Sequence, residues 1–288
     1  MSSILELRNV SKHYKQSGFA LKDVSFSLPH GSIVGYVGEN GAGKTTTIGC
    51  ILNTLHKDSG TITLFGKEMT DRDMSIREDI GIVYDGDNFP QYLNANQLSN
   101  IMCGIYKNWD HSFFVKQLAD FKIDMKQKIK SYSRGMTMKL AITVALAHHP
   151  KLLILDEATS GLDPIIRDEI LDILLGFVQD EEHSILLSSH ITSDLEKIAD
   201  YIVFIHEGEI ILTETKDNLI YQYAVLRCNA QQFSTIDKGD MIAYRKRDYQ
   251  IDVLISDIKI AREKYKNIIA DTVAIDEIML LLVRGKQA

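Results

Sequence analysis

Cysteine is scarce in this 288-residue chain: Cys50, Cys103 and Cys228 stand far apart and without metal-type spacing. They offer neither a disulfide framework nor a thiolate cluster, and they suit a reducing compartment. Long apolar runs are missing as well. The best of them, "IMLLLV" at 278–283, falls well short of the about 18 apolar residues that a membrane-spanning helix needs, so the chain is expected not to cross a bilayer. The opening "MSSILELRNV" lacks a basic start followed by an apolar core; it alternates like a strand rather than an export signal, and the expected location is cytoplasmic. No block of lysine or arginine stands out and the net charge is -7, which argues against a general nucleic-acid-binding surface. There are no internal repeats or low-complexity tracts. What remains, with 45% hydrophobic residues, is a globular chain of one large domain or two small ones.

Two alternating segments, 3–10 and 19–28, precede the apolar strand "SIVGYV", a glycine-rich loop and a helix. "TITLFG" (61–66) and "IGIVY" (80–84) read as further strands, and 94–149 is mostly helical, with turns at 108–111 and 123–133. Strand "KLLIL", a helix from Pro164, strand "SILLS", a helix over 191–199, strand "YIVFIH" and strand "EIILT" follow. This alternation predicts an α/β core with a mostly parallel sheet, an N-terminal antiparallel β subdomain and a helical insertion over about 87–149. From 216 to 288 the pattern changes to a small C-terminal α+β appendage, with a strand "QIDVLI", a helix near 258–269 and a last helix ending near Arg284 with Gly285 as its cap.

"GENGAGKTT", Gly38 to Thr46, fits G-x-x-x-x-G-K-[ST] between an apolar strand and a helix, the context in which that pattern cradles phosphate. Gly38, Asn40, Gly41, Ala42, Gly43 and Thr46 supply the loop, whose backbone N–H groups converge on a β-phosphate. Lys44 bridges β and γ oxygens, and Thr45 offers an oxygen to Mg²⁺. "KLLILDEATSGLD" (151–163) ends a buried strand in two acids. Asp156 is the expected metal-side acid and Glu157 the expected general base, or the group that orients the attacking water.

With these two motifs in order, residues 3–215 resemble the ATP-binding cassette (ABC) ATPases, the motor subunits of ABC transporters. In that family a signature, typically L-S-G-G-Q, precedes the aspartate motif, and "YSRGM" at 132–136 stands in its place. Ser133 and Gly135 match family residues; Arg134 replaces the first glycine, and Tyr132 and Met136 replace leucine and glutamine. The resemblance implies that Ser133 and Gly135 meet the γ-phosphate bound by an opposing protomer, whereas read alone Ser133 would merely cap its helix. It further implies that Tyr14, in "SKHYKQ", stacks on adenine, that Asp163 lies in the loop crossing the dimer interface, and that His190, in "LLSSHI", reaches the γ-phosphate and the catalytic region. Pro164 beginning a helix also makes Asp163 an expected helix cap, and both roles can coexist. Asp85 in "IGIVYDG" stands where the family commonly has a glutamine linking Mg²⁺ and water to the membrane subunit, and a carboxylate there could contact the metal.

Catalytic residues are therefore expected to be Lys44, Glu157 and His190, with Thr45, Asp156 and Asp85 toward the metal. ATP and Mg²⁺ are the expected cofactors. A separate membrane permease and a second cassette, identical or different, are the expected partners, holding the chain at the inner face of the membrane; no nucleic acid is expected. In layout and in its ending "IDEIMLLLVRG" the chain looks like ATPases of bacterial drug and peptide exporters. The alternatives are a soluble ABC ATPase acting on ribosomes or DNA, and a regulatory module that closes without turnover. Phe89, Tyr92, Tyr106, Trp109, Phe113 and Phe114 of the insertion are candidates for a permease-facing groove, though most should be core.

Overall fold

In the computed structural model, which describes residues 3–14, 18–70, 74–86 and 88–287, the alternating N-terminus becomes two antiparallel strands, β1 (Ser3–His13) and β2 (Ala20–Pro29). Leu5, Leu7 and Val10 of β1 are all buried although their spacing is uneven. The register shifts between Leu7 and Val10, and Asn9 takes a left-handed φ of 51°, so a bulge absorbs the extra residue and returns Val10 to the inner face. The chain then enters β3 (Ile33–Val37), buried at every position, and helix α1 (Lys44–Ile51). It returns as β4 (Ser59–Leu64) and β5 (Lys67–Glu68), completing a four-stranded sheet ordered β2-β1-β4-β5.

β6 (Ile80–Tyr84) leads into the insertion, whose expected first residue, Asp87, lies outside the described residues. Three helices follow, each opened by a side chain that accepts a backbone N–H left free in the first turn. Asn94 forms a capping box with Gln97 for α2 (Ala95–Ile105), Asp110 caps α3 (His111–Asp120) and Ser133 caps α4 (Arg134–Leu146). Leu98, Phe114, Leu118, Leu140 and Val144 form their shared core. From Met138 to Leu146 every residue of α4 is buried, because its other side packs on the main sheet.

The remaining elements of the main sheet alternate as expected: β7 (Leu152–Asp156), α5 (Pro164–Phe177), β8 (Ser184–Ser189), α6 (Thr192–Ile198), β9 (Tyr201–His206) and β10 (Glu209–Thr215). The sheet order is β10-β9-β3-β8-β7-β6, and only β10 runs antiparallel to its neighbour. β3, β7 and β8 are buried on both faces and read accordingly as continuous apolar runs rather than alternation. Their C-terminal ends, Val37, Asp156 and Ser189, lie side by side, which brings the loops after them to one edge.

The last segment contains α7 (Lys216–Tyr221), β11 (Ala224–Cys228), α8 (Ala230–Phe233), β12 (Ala243–Lys246), β13 (Ile251–Ile255), α9 (Ile258–Lys264), β14 (Ile269–Thr272), α10 (Ile275–Arg284) and β15 (Lys286–Gln287). Its five strands form an antiparallel sheet ordered β14-β11-β13-β12-β15. Val225 and Leu254 join Ile275, Ile278 and Leu281 of α10 in the same core cluster as α5 and α6. Leu226, Val253 and Ile255 turn to the other face, against Ala261 and Tyr265. The helix expected over 258–269 stops at Lys264: the Tyr265 hydroxyl donates to Asp240 at 2.5 Å and accepts the Asp237 N–H at 3.1 Å, and the chain beyond it pairs with β11 as β14. Gly285 does follow α10 but at φ −80°, not left-handed. Glycine is required by close approach, since a Cβ would lie 2.2 Å from the Leu281 carbonyl oxygen.

His148, 2% exposed behind α4, stacks on Tyr106 at 4.0 Å and places Nε2 3.1 Å from the Ile80 carbonyl. Burial lowers its pKa from 6.5 despite those carbonyls. The unfolded chain therefore binds a proton more readily than the folded one as pH falls below 6.5. The stabilisation from keeping His148 neutral is complete above 6.5 and declines as pH drops toward the folded value. Denaturant midpoints measured across pH 5–8 should fall more steeply on the acid side for the wild type than for His148→Phe; parallel curves would show that His148 contributes no such linkage.

Candidate functional site

The loops at the C-terminal edge of the sheet enclose a cavity of about 470 Å³ lined by Tyr14, Phe19, Asn40, Gly41, Gly43, Lys44, Thr45, Thr46 and Glu157. The phosphate-loop backbone turns into α1 at Gly43, which stands at φ 117° with no side-chain cap. A Cβ there would lie 2.6 Å from Leu21 Cδ2, so the loop's curvature and its packing on β2 both demand glycine. Ala42 is buried beneath the loop, where its N–H donates to the Glu39 carbonyl and its own carbonyl accepts the Gly208 N–H. Uncapped N–H groups at the start of α1 thus face the cavity end at which an anion gains most from the helix dipole.

The Lys44 ammonium, 6% exposed, lies 2.6 Å from the Gly38 carbonyl, 3.2 Å from that of Glu39 and 3.1 Å from Glu157 Oε1. Its contact with Oε1 is electrostatic rather than a well-angled hydrogen bond, since that oxygen has no hydrogen-bond partner. The other carboxylate oxygen, Oε2, is 2.5 Å from His190 Nδ1. Glu157 sits at φ 56°, a left-handed backbone that ordinary residues adopt only at a cost of about 1–2 kcal/mol. That turn directs a carboxylate from the end of β7 into the cavity between a cation and an imidazole.

Beside it, Thr45 Oγ1 donates to Asp156 Oδ2 at 2.8 Å and Ser188 Oγ to Asp156 Oδ1 at 2.7 Å. These are hard oxygen donors next to a phosphate loop, the set Mg²⁺ takes when phosphates and water complete its shell. Among the described residues no group of three or more His, Cys, Asp or Glu side chains could hold a metal alone.

Tyr14 and Phe19 flank the open side with ring centroids 6.4 Å apart. Ser133 and Gly135 do not line this cavity; they open α4, where the Ser133 hydroxyl accepts the Met136 N–H at 3.2 Å and Gly135 packs beside Ile166 of α5. Asp163 caps α5 through its Oδ1 to the N–H groups of Ile165 and Ile166, both 3.1 Å. Asp85 departs from the expected metal contact: its carboxylate is 2.8 Å from Arg134, and only its backbone N–H reaches the Asp156 carbonyl, at 2.9 Å. An arginine at 134 offers that carboxylate a nearer full charge.

Three participants escape motif reading. Ser188 anchors Asp156, and Phe19 shares the aromatic wall. Lys139, 8% exposed on α4, pairs with Glu169 of α5 and lies 5.1 Å from the Phe121 ring centre, holding the helix that begins with the signature against the one capped by Asp163. The apolar run ending in SSH and the i+4 spacing of Lys139 from Gly135 are visible in the sequence, but neither names its partner.

Comparison with known proteins places the family and the fold. The ABC transporter family pattern matches residues 21–160. A lantibiotic transport ATP-binding protein, SrtF, of Streptococcus pyogenes is 36% identical over 219 residues, 74% of this chain and 92% of that one. A bacitracin transport ATP-binding protein, BcrA, of Bacillus licheniformis is 33% identical over 216 residues, covering 73% and 69%. Among solved structures, cbiO1 of Clostridium perfringens, part of the ABC transporter complex cbiONQ, superposes with a TM-score of 0.66 at 26% identity, over 75% of this chain and 90% of that one. A dimeric ATP-binding cassette bound to ADP and Pi after hydrolysis superposes with a TM-score of 0.66 at 22% identity, over 74% and 98%, and shares the fold.

Proposed function

This chain belongs to the ABC transporter family of ATP-hydrolysing subunits, and on that premise we propose that it is the motor of an exporter whose membrane-spanning permease is a separate polypeptide. The observation that carries the motor reading is Glu157, set in the phosphate-loop cavity between Lys44 and His190. Lys44 and the amides at the start of α1 bind and orient the triphosphate. Glu157 accepts the proton of the attacking water, and His190 fixes the carboxylate and reaches toward the γ-phosphate. Mg²⁺, when bound with the nucleotide, neutralises charge on the phosphates; Thr45 and Asp156 would hold it.

Residues 1–215 act as the motor and 216–288 as an accessory unit. One phosphate loop and one signature occur in the chain, and the signature lies outside its own cavity. A complete site therefore takes Ser133 and Gly135 from a second cassette, the same chain or a different one. Closure around two ATP and reopening on hydrolysis then supply the stroke. Peptide antibiotics or other amphipathic drugs are the proposed cargo, supported by the transport roles in the names of the two relatives.

Among the described residues no helix is long and apolar enough to cross a membrane, so the stroke must be passed on. The insertion exposes Tyr92 (71%), Ile101 (47%) and Ile105 (60%), whereas Phe114 is fully buried. These exposed side chains are the proposed permease contact. Affinity capture from detergent-solubilised membranes should bring down a membrane-spanning protein with the wild type. The Tyr92→Ser/Ile105→Ser variant should lose it while retaining soluble ATP turnover. Capture of no such protein by the wild type would sink the transport reading, and unchanged capture by the variant would sink the docking role.

A further inference from the structure

Two of the positions at which this chain departs from the family pattern, Arg134 and Asp85, meet each other. Arg134 Nη2 lies 2.8 Å from Asp85 Oδ1. We propose that Arg134 and Asp85 form one unit, a brace that positions the signature against the Gly161 turn of its own chain, and that Arg134 is a positioning residue rather than a nucleotide contact.

Three observations support this. Arg134 is the first residue of α4, where a cation meets the positive end of the helix dipole; the Asp85 carboxylate supplies the charge that such a terminus favours. The guanidinium also lies over the loop that joins Glu157 to Asp163: a Cβ on Gly161 would sit 2.6 Å from Arg134 Nη1, so side chain and turn are in direct contact. Both loop segments are tied to the catalytic strand ends. The Asp85 N–H donates to the Asp156 carbonyl at 2.9 Å, and the Ser160 N–H to the Glu157 carbonyl at 3.0 Å. A single guanidinium thus joins the end of β6, the turn after β7 and the start of α4.

Both side chains are about half exposed, 52% and 44%, so the pair adds little to global stability and acts on local placement. Glycine at 134 would leave Asp85 facing a helix terminus without a bridging side chain, and glutamine at 85 would leave the arginine charge uncompensated. The two departures therefore make sense only together. This inference rests on the proposed role of Ser133 and Gly135 in the site of the opposing cassette.

The test uses Arg134→Gln, Asp85→Asn, their combination, and the reversed pair Arg134→Asp/Asp85→Arg. Backbone hydrogen exchange over 133–137 and 158–163 is measured in the full chain without nucleotide, and kcat and KM with Mg-ATP. Each single change should raise exchange in both segments and lower kcat about two- to fivefold at constant KM. The combined neutral variant should be no worse than either single one, and the reversed pair should regain protection and turnover. Additive losses, unchanged exchange, or a rise in KM for Arg134→Gln that persists beside Asp85→Asn would overturn the brace. If the wild type shows no turnover, the functional reading fails while the exchange data still decide the brace.

Discussion

Replacing Glu157 with glutamine is expected to lower kcat for ATP by about a thousandfold, within the 10²–10⁴ range typical of a lost general base, while nucleotide binding persists. Glutamine has nearly the same shape, so it keeps the packing of a side chain only 17% exposed and can still hydrogen-bond His190. What it loses is the basic oxygen that takes the water proton. Removing one negative charge from a cavity that receives a triphosphate also favours the bound state, so KM should stay level or fall. In the proposed cycle reopening follows hydrolysis, so the variant should accumulate as an ATP-dependent pair. Light scattering should show twice the protomer mass with Mg-ATP and the protomer mass without it. Turnover within about tenfold of wild type would remove Glu157 from the base role. Bound ATP on a persistent monomer would instead show that the other cassette is a different chain.

Elements whose formation depends on local physics were legible in the sequence. The buried strands β3, β7 and β8 announce themselves as apolar runs, and Ser133 and Asp163 stand where caps belong. The end of α9 was not legible, because Tyr265 leaves the helix to satisfy a hydroxyl against Asp240 and Asp237, residues some 25 positions away. For the same reason the α+β tail gave no hint that Ile275, Ile278 and Leu281 would share a core with α5 and α6. Periodicity shows which face of a helix is apolar, but not which surface covers it.

The site divides along the same line. Lys44, Thr45, Asp156 and Glu157 stand out in the sequence because they follow apolar strands in motif order, and His190 because the resemblance implies it; the structure brings Lys44, Glu157 and His190 together. Ser188 and Lys139 were not, since their importance lies in partners far away in the chain, Asp156 and Glu169. Asp85 shows the opposite failure. In the sequence, a carboxylate at a position that the resemblance associates with a metal points to a metal contact and shows no link to Arg134; the ion pair between them becomes visible only when β6 and α4 are brought together.

Replacing Lys44 with alanine should weaken ATP binding by about 100-fold or more. Two charge-assisted hydrogen bonds to phosphate oxygens, at about 1.5–3 kcal/mol each, account for that loss. Binding is best measured by calorimetry in the Glu157→Gln background, where hydrolysis does not deplete the ligand; an affinity within about threefold of that background would dismiss Lys44 as a phosphate contact. Lys44→Arg should rescue poorly, because the pocket that places the ammonium 2.6 Å from the Gly38 carbonyl and 3.2 Å from that of Glu39 is shaped for a compact charge. The same substitution has a second effect in the nucleotide-free chain. Without Lys44, the buried Oε1 of Glu157 loses the cation that lies 3.1 Å from it, and a stranded carboxylate costs more than the pair contributed. Lys44→Ala alone should therefore lower unfolding stability by about 1–3 kcal/mol. Adding Glu157→Gln should restore most of it, since a neutral amide needs no cation. That non-additivity separates the two functions of Lys44: stability recovers when the carboxylate is neutralised, whereas ATP affinity does not.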